Sequence, residues 1–402
     1  MAKRVFRSDY IFFILSFLLL LERFLSFLLY QAFHFTLPSM YFYIPLSFLI
    51  VKYFGGKLIP ILIGISYLST ILFYYYLHGG LMNPGETFSF YSFILGLFLI
   101  NPQKMMENSS HPVTLKQLKI ASIVFVLCYF FTAMWGEYYF VTNINAHKNM
   151  ILGFIWPHGF GYFTALLGMI LVANGAPFFA LMIMFCGLLV GSRTAFLVTL
   201  LGIIYLIIYI LRFVDEPSNF KKRVAFRGLL ILIMSMGSFG IFFFVWVHYD
   251  DIFFLQRMVL TFSLIEFDVD FSSPAWVELT SGRSIFWSQI TEYFFEKNRI
   301  SGSWIWGLSP EIIRILNKNS FGLSIWMHND WLQALYAFGF LGFIFYVVGI
   351  IRFITRLNFS FFALSFVLFT SILNGLYPYM GISILYLLAF YQAKLENKTC
   401  DE

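Results

Sequence analysis

Three residues placed at helix starts could together act on an anionic leaving group. Arg193 stands in Gly191-Ser192-Arg193-Thr194, Arg283 in Thr280-Ser281-Gly282-Arg283, and His328 in Met327-His328-Asn329-Asp330. Each tetrapeptide opens a run with helical apolar spacing; Ser192 suits an N-cap in the first, and Asn329 or Asp330 in the third. A helix N-terminus carries about half a positive charge, so an arginine there is disfavoured by roughly 0.3–1 kcal/mol. A bound anion reverses that cost, because free backbone N–H groups and the guanidinium then converge on one negative group. The arrangement suits a phosphate or diphosphate, and a neutral imidazole at 328 is a general base near pH 7. Singly, each residue has a plainer reading. An interfacial arginine snorkels to a lipid headgroup or pairs with a carboxylate, and His328 bonds a backbone carbonyl. Together on one face, the three favour the anion.

Other residues are weighed beside them. Arg257, in Leu255-Gln256-Arg257-Met258, is either a third phosphate contact or a partner of Asp250 or Asp251. His158, in Trp156-Pro157-His158-Gly159, lies about two turns into an apolar run, where it is satisfied by a neighbouring helix or lines a cavity. Asn329 is a candidate substrate contact, and Asn329 or Asp330 a candidate cap. Lys297, Arg299, Arg314 and Lys318 read as a solvated face. Asp268-Val269-Asp270 has the D-x-D form, but one carboxylate pair does not make a metal site, so no metal and no cofactor is expected. Glu22 and Arg23 are adjacent within the first apolar run and do not face each other on a helix.

The elements that must position these residues are membrane helices. The 402 residues are 60% hydrophobic and only 11% charged, whereas a soluble domain is about 45–50% apolar and about 25% charged. That balance excludes a soluble enzyme, a disordered chain and a secreted disulfide scaffold, and no nucleic-acid partner is expected. Three scattered cysteines make neither a disulfide framework nor a zinc site. The fold class is an all-α polytopic membrane protein with twelve spans, at 10–33, 38–55, 58–77, 87–101, 119–135, 151–173, 176–191, 193–213, 228–248, 331–351, 358–375 and 378–393. The long run 151–213 is cut at Asn174-Gly175-Ala176-Pro177 and at Gly191-Ser192. Residues 1–248 thus hold nine spans, 249–330 one large, partly helical extracytoplasmic loop, and 331–402 three spans and a cytoplasmic tail. With the N-terminus inside, 17 Lys and Arg fall on the cytoplasmic side and eight outside, which places both termini in the cytoplasm. The segment opened by Arg283 carries Phe286, Ile290, Tyr293 and Phe294 at helical spacing, so an amphipathic helix near the membrane surface is expected through Lys297.

The order of these pieces resembles the O-antigen ligase/polymerase family of bacterial membrane glycosyltransferases. The matching residues are Gly191-Ser192-Arg193-Thr194-Ala195, then Ser281-Gly282-Arg283-Ser284 followed by Trp287, then Gly302-Ser303-Trp304-Ile305-Trp306-Gly307. The last are His328-Asn329-Asp330-Trp331-Leu332 and Phe338-Gly339-Phe340-Leu341-Gly342. They span roughly 150–355. The resemblance implies a metal-independent, inverting transfer of a glycan from undecaprenyl diphosphate to an acceptor hydroxyl, on the outer side of the inner membrane. Arg193 and Arg283 would hold the diphosphate, and His328 would take the acceptor's proton or orient the acceptor. For a polymerase, the reading put first, the acceptor is another lipid-linked repeat unit; for a ligase it is lipid A–core. Membrane lipids and a chain-length regulator are the further partners this implies. Trp276, Trp287, Trp304, Trp306, Trp326 and Trp331 could stack on sugar rings or form an interfacial aromatic belt. The competing class is a twelve-span secondary transporter, which would show similar halves, broken helices and polar groups at mid-membrane.

Overall fold

The structure is a computed structural model. It describes residues 40–78, 84–108, 113–135, 157–188, 193–214, 283–297, 302–321, 327–357, 361–373, 375–377 and 381–401, with eight isolated positions besides. The expected spans at 10–33 and 228–248 lie almost wholly outside these residues. So do the loop segment 249–282 with Arg257, Asp268 and Asp270, the Gly191-Ser192 dipeptide, Trp276 and Trp326.

The described chain is helical, with no strand among the described residues. In order run α1 Met40–Phe54, α2 Leu58–His78, α3 Pro84–Leu99, α4 Pro102–Asn108, α5 Leu115–Trp135, α6 Pro157–Ala173, α7 Pro177–Leu188 and α8 Arg193–Val214. Then come α9 Arg283–Glu292 with a π-helical turn Tyr293–Lys297, α10 Ser303–Trp306, α11 Pro310–Phe321, α12 Asp330–Arg356, α13 Phe361–Leu373 and α14 Gly381–Asp401. Among the described residues Pro102, Pro177 and Pro310 each follow a non-helical residue and open a helix; proline lacks the N–H that a first helical residue would leave unbonded, and its fixed φ suits that position. The expected cut after α6 is a Schellman turn: Ala176 N–H donates to Leu171 O at 2.8 Å and Gly175 N–H to Val172 O at 2.9 Å.

Among the described residues three stretches, Leu58–Leu77, Thr194–Leu211 and Asp330–Arg356, are long and apolar enough to cross a membrane, and five shorter apolar helices accompany them. One group packs α1 and α2 on α3, with α12 on its flank; the other packs α5, α7 and α8 around α6. Helix α14 touches both α3 and α6, and α13 lies against α8 and α12. The second group is drawn close by small residues, as membrane helices require. A Cβ on Gly161 would fall 2.2 Å from the Cβ of Ala195.

Helix ends are sorted. At one end Arg356 donates to Phe98 O at 2.7 Å and Ile100 O at 3.1 Å, and Lys104 to Phe54 O at 3.0 Å. These cations cap the last carbonyls of α3 and α1, where the helix dipole favours them. The starts of α3, α6, α8 and α12 lie at the opposite end.

Helix α12 is not continuous. Gly339 has φ 66° and ψ −170° inside it. At this break Tyr336 O accepts from Leu308 N–H at 2.9 Å, and Ala337 O accepts from Ser309 N–H at 3.1 Å and from the Tyr74 hydroxyl. The turn that docks there ends at Gly307, φ 83°. The two glycines admit one another's backbones: a Cβ on Gly307 would meet Ala337 O at 2.2 Å, and one on Gly339 would meet Ile305 O at 2.3 Å.

Gly307→Ala and Gly339→Ala each therefore combine a clash with a left-handed backbone, a strain of about 1–3 kcal/mol per site before the clash is added. Each is expected to lower the thermal midpoint of the detergent-purified protein and to speed proteolysis within 302–309. Gly56→Ala, which meets nothing within 4 Å, is the control that stays unchanged.

Candidate functional site

His328 sits on a turn held from several sides. It is one of two non-glycine residues with positive φ among the described residues, at 53°. Met327 before it is fully buried, and His328 itself is half-buried. Met327 O accepts the indole N–H of Trp287 at 2.6 Å, and Met327 N–H donates to Gln333 Oε1 at 3.2 Å. Asn329 is the N-cap of α12: its Oδ1 accepts from Trp331 N–H at 3.0 Å and Leu332 N–H at 3.1 Å. The expected helix start is thus found, and Asn329 rather than Asp330 makes the cap.

The helix opened by Arg283 lies against this turn. Helix α9 starts at Arg283, and Trp287, one turn on, is the residue whose indole holds Met327. Farther along, the hydroxyls of Thr291 and Tyr336 are bonded at 2.6 Å, and Phe294 packs edge-on to Trp304 at 5.2 Å and against Tyr336 at 5.1 Å. Of the four residues expected on the apolar face, Ile290 and Phe294 are covered by protein at 2% and 1% exposed, Phe286 and Tyr293 are half-buried, and Trp287 beside them is 7% exposed. An aromatic stripe has the same spacing in either case, and here the first turns of α12 and the 303–306 turn supply the apolar partner.

A second pairing joins the other two candidates. His158 is the second residue of α6 and is half-buried; residues 151–156, on which its expected depth in the span depends, lie outside the described residues. Arg193 is the first described residue of α8, and the Gly191-Ser192 pair expected before it lies outside the described residues. Gly161, three residues past His158, packs on Ala195, two residues past Arg193. Helix α13 touches an element of each pair. Its Phe366 meets Tyr162 of α6 at 5.9 Å, and its Ser371 accepts the indole N–H of Trp331 at 3.1 Å. The side chains of Arg193 and Arg283, and all of Arg257, lie outside the described residues.

Two features escaped the sequence reading. Arg314, expected on a solvated face, forms an ion pair with Glu86 at the start of α3; their side chains are 31% and 18% exposed. Burial holds the Arg314 guanidinium below its ordinary range, with Tyr377 acting in the opposite sense. Glu86 in a first helical turn was a legible anion, but its partner across 228 residues of chain was not. Asp330, the alternative candidate for the cap, is 1% exposed and turned inward. Its Oδ2 accepts from Leu376 N–H at 2.5 Å, Tyr377 N–H at 3.2 Å and the Tyr346 hydroxyl at 3.3 Å.

The aromatic residues are largely committed to packing. Trp304 is stacked on Phe340 at 6.1 Å, Trp306 leans on Phe73 at 6.5 Å, and the indoles of Trp287 and Trp331 donate within the protein. Of these four Trp287 is buried, while Trp304, Trp306 and Trp331 are half-buried and keep part of their rings exposed.

Breaking the Glu86–Arg314 pair from one side strands a half-buried charge, at a cost of about 1–3 kcal/mol before solvent screening reduces it. Glu86→Gln alone is expected to lower the thermal midpoint in detergent more than the double change Glu86→Gln with Arg314→Met. Equal midpoints would mean that the pair is screened out. The chain matches no protein-family model, no curated protein and no solved structure.

Proposed function

We propose that this protein transfers a glycan from undecaprenyl diphosphate to an acceptor hydroxyl at the end of the helix bundle where α6, α8 and α12 begin. Arg193, Arg283 and the free N–H groups of their helix starts hold the diphosphate. His328 takes the acceptor's proton; the acceptor oxygen attacks the anomeric carbon from the face opposite the diphosphate; the bond from that carbon to the diphosphate oxygen breaks, with inversion. Negative charge grows on the leaving diphosphate, and fixed positive groups stabilise it in proportion. The acceptor is a second lipid-linked repeat unit, as in a polymerase, with lipid A–core, as in a ligase, the alternative. The chain carries twelve spans in the bacterial inner membrane with both termini cytoplasmic. In that orientation the end bearing Lys104 and Arg356 faces the cytoplasm, in keeping with the positive-inside bias.

The observation that carries this reading is the bond from Trp287 to Met327 O, 2.6 Å long. It seats the helix begun by Arg283 against the turn that presents His328, which is what a shared site for a leaving group and a base requires. The packing of Gly161 on Ala195 supports the second half of the site, since it sets His158 beside the start of the Arg193 helix.

A broken helix is a feature of secondary transporters, whose unwound carbonyls coordinate cations. In α12 the carbonyls of Tyr336 and Ala337 are engaged by Leu308, Ser309 and Tyr74, which favours the transferase.

Arg193→Ala, Arg283→Ala and His328→Ala are each expected to cut transfer by about 100-fold or more, with normal amounts of protein in the membrane fraction. Long-chain polysaccharide on gels reads the outcome, and wild-type chains from all three variants would end the assignment. In a deletion strain, core bearing one repeat unit marks a missing polymerase. Bare core with lipid-linked polymer marks a missing ligase.

A further inference from the structure

The backbone at His328 is one that a residue with a Cβ adopts only where its surroundings over-determine it. Three restraints are already described: Trp287 and Gln333 on Met327, and the Asn329 cap. Asp330 adds a fourth of a different kind. The cap at Asn329 already serves the start of α12, so Asp330 is not needed for it. A carboxyl group at 1% exposure is costly to bury, and its Oδ1 has no hydrogen-bond partner among the described residues. Its Oδ2 instead gathers two backbone N–H groups, of Leu376 and Tyr377, from the turn between α13 and α14, together with the Tyr346 hydroxyl one helical stretch below. These bonds tie the first residue of α12 to a separate part of the bundle.

We propose that Asp330 is a positioning residue for His328: by clamping the start of α12 to the 376–377 turn, it fixes the left-handed turn that aims the imidazole at the acceptor hydroxyl. It touches neither substrate nor reacting atoms and acts through the backbone of residues 328–330. This rests on the glycan-transfer reading for its catalytic consequence, though not for its geometric one. Release of the clamp lets His328 relax toward an ordinary backbone conformation, and the base moves off the reacting centre.

The geometric arm needs no glycan. In membranes carrying the chain with Cys128→Ser, Cys186→Ser and Cys400→Ser, a His328→Cys variant is labelled with a maleimide. Adding Asp330→Leu, which removes the acceptor oxygen at similar volume, is expected to raise the labelling rate about fivefold or more. Adding Asp330→Asn, which keeps one acceptor oxygen, is expected to leave it within about twofold. The catalytic arm uses the unlabelled chain with lipid-linked donor. Asp330→Leu should lower kcat about 10- to 100-fold with little change in donor KM, and Asp330→Asn should recover most of the loss. If Asp330→Leu does not accumulate in membranes, Tyr346→Phe removes one of the three donors and should raise labelling in the same direction. Labelling that is unchanged by Asp330→Leu, or by Tyr346→Phe in its place, overturns the proposal. Full transfer by His328→Ala would instead overturn the functional reading, while the labelling result would still decide the role of Asp330.

Discussion

Backbone N–H and C=O groups removed from water must find partners inside the protein, and in an apolar bundle that requirement is severe. It is met in an unusual way at Gly339, where α12 departs from helical geometry. The carbonyls of Tyr336 and Ala337 take their donors from Leu308, Ser309 and Tyr74. The segment between α10 and α11 is thereby bonded into a long apolar helix as though it were part of it. Phe338, beside the break, is stacked on Phe90 of α3 at 3.8 Å, so the same point also fastens α12 to the first helix group.

This single joint places much of the rest. Because the 302–309 segment is held against α12, the aromatic side chains of α9 have a protein surface to cover, and Phe294 meets Trp304 and Tyr336 there. Because α9 is held, Trp287 reaches the Met327 carbonyl. The residue that would act as base therefore stands between two fixed neighbours on a helix whose own interior break anchors the loop above it. Precision of this kind comes from rigid elements rather than from mobile loops.

Much of the helical layout was legible in the chain. The Asn174-Gly175-Ala176-Pro177 turn and the long apolar runs place helices at α1 to α3, α5 to α8 and α12 to α14, though not always their ends, because these signals are local. The glycines of Gly302-to-Gly307 and of Phe338-Gly339-Phe340 were visible as motifs, but their mating was not, since nothing within either segment specifies the other. Arg314 was misread for the same reason. Its amphipathic helix looks solvated until Glu86 is brought beside it. Asp330 fits the pattern of a cap by position, and only its burial shows that it points elsewhere.

What the sequence by itself determined is the helical character of the described chain and a capped helix start directly after His328, with the choice between Asn329 and Asp330 left open. Hydropathy, capping and proline geometry act over a few residues and are written in adjacent positions. The tertiary structure decided that the helix begun by Arg283 lies against the His328 turn, that its aromatic face covers protein, and that Asp330 clamps a distant turn. Those outcomes depend on which buried donor finds which acceptor across long separations in sequence, and that choice is made by the packing of the whole bundle.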